Sequence, residues 1–322
     1  AYLDRSNDPL DPITGWRLGV LATLWLAGRC AVAVSGYLPA GATAILDLAF
    51  PVALAAAVGR EIVAGKNWRN LIVVGMLAAI CLGNGVYHWE AAHGDPAAQG
   101  YGLRIGLSAG VMMIAVIGGR IVPSFTRNWL ARRGPGALPA QPMQGFDKVA
   151  LVALLVALLL WVALPLSPAT GAALGIAGLL HAWRLARWAG HRTAAEPLVL
   201  VLHVGYAFLP LGAVALSVAI LLPDAFAMAA AQHLWMGGAV GLMTLAVMTR
   251  ATLGHAGQAL HAGRGTVAIY VALVAAVLAR VAAGVWPEEA GLLHSLAGIA
   301  WIAAFGGYAV LYGRLLLLPR RV

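Results

Sequence analysis

Pro197 to Leu221 reads PLVLVLHVGYAFLPLGAVALSVAIL, 25 consecutive residues without Asp, Glu, Lys or Arg. As an α-helix rising 1.5 Å per residue, such a run is longer than the ~30 Å needed to cross the hydrocarbon core of a bilayer. Glu196 closes it on one side, Pro223 and Asp224 on the other. The same pattern recurs along the chain. Apolar runs of spanning length fall at residues 16–36, 43–64, 69–90, 101–121, 148–165, 168–187, 197–221, 226–250, 265–285 and 290–316. Hydrophobic residues make up 61% of the 322 and charged residues only 10%, with mean hydropathy +0.85. Soluble domains carry about 25% charged residues to wet their surfaces. The sequence therefore predicts an all-α, polytopic helical bundle of about ten transmembrane helices in a lipid bilayer. It excludes a soluble enzyme, a disordered chain and a disulfide-stapled secreted domain.

The net charge of +9 is explained by where the cations sit. Eighteen of the 21 Lys and Arg flank the spans on one side. Arg5, Arg17, Arg60, Lys66, Arg69, Arg120 and Lys148 are among them, as are Arg184, Arg187, Arg192 and Arg250. The positive-inside rule then places both termini in the cytoplasm. No nucleic-acid partner is expected from a surplus distributed in this way. The predicted organisation is a cytoplasmic N-terminal segment at 1–15 and one transmembrane domain at 16–322, with a cytoplasmic loop at 122–147. Cys30 and Cys81 lie inside spans and read as small apolar residues.

Three arginines escape the topological explanation. Arg29, Arg104 and Arg280 lie within apolar runs, in the half of the membrane opposite the cationic flanks. An arginine at mid-membrane costs at least ~2.5–3.5 kcal/mol on insertion scales, so it needs a partner, a cavity or a headgroup within reach. One expectation is that each snorkels or bonds a helix carbonyl. Another is an anion held in the bundle, with Asp47 as a competing partner. His88, His233 and His294 fall at the same depth, while His203 lies deeper and His255 at an inner helix end. Imidazoles on facing helices are how bundles build haem and copper sites, and they are equally common as hydrogen-bonded packing residues.

Three longer strings are more specific. They are GGRIVPSFT (118–126), EPLVLVLHVGYAFLPLG (196–212) and QHLWMGGAVGLMTLAVMTRATLGHAGQAL (232–260). In content and order they resemble the NnrS family of bacterial membrane proteins, as do WRNLIVVGMLAAICLGN (68–84) and the first span. The resemblance implies a multi-pass protein of the bacterial cytoplasmic (inner) membrane, linked to nitric oxide and denitrification, containing haem b and possibly copper. His203, His233, His255, Arg120, Thr126 and Arg250 fall on the family strings. Depth makes His233 the expected haem ligand, with His88 or His294 as second axial ligand and Arg29, Arg104 and Arg280 for the propionates. His203 and His255 are expected to form a second metal site, with Met243 or Met248 as soft auxiliary ligands or as packing. Family members resemble twelve-helix proteins. The two front helices have no counterpart here, which implies a partner subunit that supplies them, a truncated chain or a shortened member. The resemblance implies binding of nitric oxide or handling of metal-nitrosyl species. The alternatives are a secondary transporter of an anionic substrate and a structural subunit of a larger redox complex.

Overall fold

The computed structural model describes residues 15–134 and 136–317. The expected N-terminal segment, apart from Gly15, and the cations Arg5, Arg320 and Arg321 lie outside the described residues. No strand occurs among the described residues, and long helices occupy all ten predicted positions. They are α1 (Trp16–Ala33), α2 (Ala40–Ala64), α3 (Leu71–Ala92), α4 (Tyr101–Ala131), α5 (Gly145–Ala163), α6 (Pro168–Ala186), α7 (Pro197–Leu221), α8 (Met228–His255), α9 (Arg264–Val285) and α10 (Ala290–Leu317). Eight of these are long and apolar enough to cross a membrane; α1 and α6 fall short. The reason is compositional. Helix α1 carries Arg17 and Arg29 within 18 residues, and α6 carries His181 and Arg184 beside Gly171, Gly175 and Gly178.

The loop expected at 122–147 is shorter in the structure, because α4 continues through Pro123 to Ala131. Pro123 has no N–H for the carbonyl of Gly119, which breaks one rung of the ladder but leaves the helix intact. Within the same helix, about one turn before Pro123, Ile114–Gly118 winds as a π-helix. A second and longer π segment, Leu234–Leu242, forms the middle of α8. Such underwound turns leave main-chain carbonyls free for other partners and occur often at functional sites.

The described residues gather into two compact units, divided between Gly110 and Val111. In the first unit, α2 packs between α1 and α3, and α3 meets the start of α4 through glycine. A Cβ on Gly83 would lie 2.6 Å from the backbone nitrogen of Gly106, so only hydrogen fits there. In the second unit α6 pairs with α7 and α9 with α10, while α7 also packs on α8. Sixteen of the 25 residues of α7 are buried, among them Leu202, Tyr206, Leu209 and Leu216. This helix is apolar all round because protein surrounds it. By contrast α5 exposes Val149, Val152, Val156 and Leu159 on one face, as a lipid-facing helix does.

Candidate functional site

A cavity of about 270 Å³ lies in the second unit, lined by His233 and Gly237 of α8, Ala276, Val277 and Arg280 of α9, and His294, Ala297, Gly298 and Trp301 of α10. Its small residues leave room, and its polar groups are two imidazoles and one guanidinium. His233 ends the α-helical first turns of α8, just before the π segment. Its Nδ1 lies 2.6 Å from the carbonyl oxygen of Ala229. A carbonyl can only accept, so Nδ1 carries the proton and Nε2 keeps its lone pair. Arg280 Nε donates to that Nε2 at 2.9 Å. An Nδ1–H···O=C bond is the tautomer and orientation that metal-ligating histidines adopt, although here Nε2 is occupied by Arg280. His294, on the facing helix, is exposed where the cavity opens.

The other two arginines find partners in the first unit. Arg29 forms an ion pair with Asp47, which also accepts from Asn84 Nδ2 at 3.0 Å and lies 3.1 Å from His88 Nε2. Asp47 is thus the partner of Arg29, and His88 belongs to this cluster. A smaller cavity of about 220 Å³ borders it, lined by Trp25, Arg29, Asp47, Phe50, Pro51 and Asn84. Arg104 Nη1 donates to the carbonyl of Gln99 at 2.6 Å, and its guanidinium lies 4.6 Å from the ring centre of Tyr101. Of the six residues expected at a haem, the structure brings together His233, His294 and Arg280 around one cavity; His88, Arg29 and Arg104 are engaged with first-unit residues.

The second unit also contains a buried polar core. Arg184, 0% exposed, donates from Nε to Asp147 Oδ1 at 2.8 Å, and Asp147 is 1% exposed. Arg184 Nη1 donates to the carbonyl of Ala115 in the π segment of α4 at 3.0 Å, and to the Tyr206 oxygen at 2.9 Å. His181 Nε2 lies 3.1 Å from the Ala150 carbonyl, so it is the protonated nitrogen. Nδ1 of the neutral ring then accepts the Tyr206 hydroxyl at 2.8 Å. Trp188 stands edge-on to Tyr206, with ring centres 4.7 Å apart.

Beside this core, at Tyr206, the three sequence strings meet. Gly118 faces Tyr206 and Met243, and Gly205 faces Met243, so closely that a Cβ on either would lie 3.0–3.1 Å from a Met243 atom. The Arg250 guanidinium lies 4.1 Å from the ring centre of Phe125. Thr126 Oγ1 donates to the Val122 carbonyl at 2.9 Å and stands 2.7 Å from His203 Nε2. Both contacts are satisfied when His203 donates from Nε2, which leaves Nδ1 buried without a partner. Arg120 is half-buried, and its carbonyl accepts from Ser124. The match to the NnrS protein family model runs over residues 8–320. The chain belongs to the NnrS family. No curated protein and no solved structure matches it.

In this NnrS protein the residues expected at a second metal site do not fit one. His203 has Nε2 committed to Thr126, and its Nδ1 abuts Gly190, where a Cβ would lie 2.6 Å away. His255 is exposed at the end of α8. Met243 packs between glycines, as the packing alternative expected. Among the described residues no group of three or more His, Cys, Asp and Glu is arranged to hold a metal ion. Sequence reasoning missed Arg184 and Asp147, counting Arg184 among the topological cations. Two signals were available: Asp147 is one of only 12 acidic residues in the chain, and His181 and Arg184 are three apart, on one helix face.

Proposed function

We propose that this NnrS protein is a haem b protein of the membrane that acts in the response to nitric oxide, binding it or handling metal-nitrosyl species. One observation supports this above the rest: His233, in the tautomer of a metal ligand, faces His294 and Arg280 across a cavity walled by small residues. The donor set fits the group. An imidazole Nε2 suits the iron, a second imidazole lies on a facing helix, and a guanidinium suits a propionate. When bound, haem supplies an iron that nitric oxide binds directly. The chain's own part is to orient His233 through Ala229 and to shield the site with α8, α9 and α10. No step is derived through copper, because the residues expected to bind it do not fit.

Transport of an anion by the three arginines has less support. Asp47 already neutralises Arg29, and Arg104 is bonded to the Gln99 carbonyl and stacked on Tyr101. The deciding experiment is a pyridine haemochrome assay with metal analysis on protein expressed under haem-replete conditions. Haem b near one equivalent per chain, with the Soret band lost or shifted in His233→Ala, is the expected outcome. Protein without haem b, or a His233→Ala spectrum identical to the parent, overturns the reading.

A further inference from the structure

We propose that Tyr206 and His181 form a redox-active pair, giving one electron and shifting one proton when they meet a small oxidising radical of the nitrogen dioxide class. The hydrogen-bond geometry carries the inference. His181 Nε2–H is held by the Ala150 carbonyl, so Nδ1 is a base facing the Tyr206 hydroxyl at 2.8 Å. That separation lies within the range in which a proton transfers directly between heavy atoms. An oxidised phenol is a strong acid, so it keeps its neutral radical form only if a base takes the proton at once. The other buried phenols lack such a base. Tyr270, Tyr308 and Tyr312 pair with the hydroxyls of Thr249, Thr252 and Thr266. Among the hydrogen bonds of the described residues, Tyr206 is the phenol bonded to an imidazole.

The surroundings suit the chemistry. Arg184 fixes the phenol oxygen from the other side, so the hydroxyl proton points at His181. The imidazolium formed keeps its bond to Ala150; Asp147 already pairs with the neighbouring Arg184, so the product state carries one added positive charge that persists only until the proton returns to Tyr206. Tyr206 and His181 are both 0% exposed, with Trp188 beside the phenol. Burial excludes bulky and charged oxidants and admits small apolar ones. Nitrogen dioxide forms from nitric oxide and dioxygen, both of which concentrate in apolar phases. In the step, nitrogen dioxide accepts one electron and becomes nitrite. Tyr206 loses that electron, the O–H bond breaks, and the proton forms a new N–H bond on His181 Nδ1. Charge balances, since one nitrite and one imidazolium arise from neutral reactants.

The choice of oxidant rests on the nitric oxide reading, whereas the pair rests on its own geometry. The experiment uses the full-length protein as purified, in lipid nanodiscs and labelled with ¹⁵N-histidine. It is mixed with nitrogen dioxide generated from nitric oxide and oxygen, then freeze-quenched for continuous-wave and pulsed electron paramagnetic resonance. The expected result is a neutral tyrosyl radical with a ¹⁵N hyperfine coupling, reduced at least about tenfold in Tyr206→Phe. In His181→Gln the nitrogen coupling disappears. A tyrosyl signal without nitrogen coupling, a signal unchanged in Tyr206→Phe, or no tyrosyl signal overturns the proposal. Should either variant fail to fold, the nitrogen coupling in the parent protein decides alone. Haem content is read separately by haemochrome, so a protein without haem that still forms the coupled radical removes the haem reading and leaves this one standing.

Discussion

Arg280 Nε donates to His233 Nε2 at 2.9 Å, which places the guanidinium on the lone pair that a haem iron would use. Iron and Arg280 cannot share that lone pair. Haem binding therefore requires the guanidinium to leave Nε2, and a propionate is a stronger acceptor for it than a neutral imidazole. In cofactor-free protein, Arg280→Ala should raise the rate of His233 modification by diethyl pyrocarbonate several-fold. Peptide mapping by mass spectrometry reads that rate, and equal rates in parent and variant would remove Arg280 as the occupant of Nε2.

The cavity can be closed without disturbing the fold. Gly298 lines it, yet a Cβ built there meets nothing within 4 Å. Leucine at this position is expected to fill part of the cavity that Gly298 shares with His233 and His294. Gly298→Leu is expected to keep the thermal unfolding of the apoprotein unchanged. Haem affinity should fall at least about tenfold, equivalent to ~1.4 kcal/mol. Spectrophotometric haem titration checks this. Parent-like affinity would mean that the ligand sits elsewhere.

The helices were legible because burial in lipid demands long apolar runs bounded by polar residues, as Pro197–Leu221 shows between Glu196 and Asp224. Their interior detail was not. The continuation of α4 through Pro123 depends on helix neighbours that tolerate an open rung, and the turn at Leu234–Leu242 has the same composition whether wound as α or π. Depth along each helix grouped His233, His294 and Arg280 correctly with one another. The same depth grouped His88 and Arg29 with them, because distance along a helix says nothing about which neighbour a side chain faces. Asp47, foreseen as a competing partner, bonds both of those residues. Arg184 was misread for a related reason: its place near a helix end matched a topological cation, and only packing shows that it turns inward toward Asp147.

His203 provides a test of how tightly the family strings fit together. Thr126→Val keeps the shape of the side chain but removes the acceptor for Nε2–H. Changing tautomer does not help, since Nδ1 also lacks a partner. A buried donor left unpaired costs about 1–3 kcal/mol. Thr126→Val should lower stability by that amount, while Thr126→Ser, which keeps the hydroxyl, should cost clearly less. Unfolding monitored by circular dichroism in detergent separates the two; equal losses would mean that the methyl group matters and the hydrogen bond does not.

The largest stability effect is expected at Arg184 and Asp147. Side-chain hydrogen bonds between membrane helices average only ~0.6 kcal/mol, so a loss that strands no buried donor, such as Tyr270→Phe with Thr249 still bonded to the Ala246 carbonyl, should be small. A buried ion pair behaves differently, because removing one partner strands the other charge in a low-dielectric interior, at about 3–5 kcal/mol. Asp147→Asn leaves Arg184 with its donors to Ala115 and Tyr206 but without a counter-charge. Arg184→Leu leaves Asp147 with the Gln144 amide donor and with Arg187, whose Nη1 lies 3.9 Å away. That second cation makes Arg184→Leu the milder of the two in charge terms. The double variant Arg184→Leu with Asp147→Asn should be more stable than Asp147→Asn alone, since the fully buried charge is gone and only the partly exposed Arg187, bonded to Gln144, loses its carboxylate neighbour. Thermal unfolding of the three variants gives the coupling between the sites. Strict additivity of the two single losses would show that Arg184 and Asp147 act independently, contrary to the 2.8 Å bond between them.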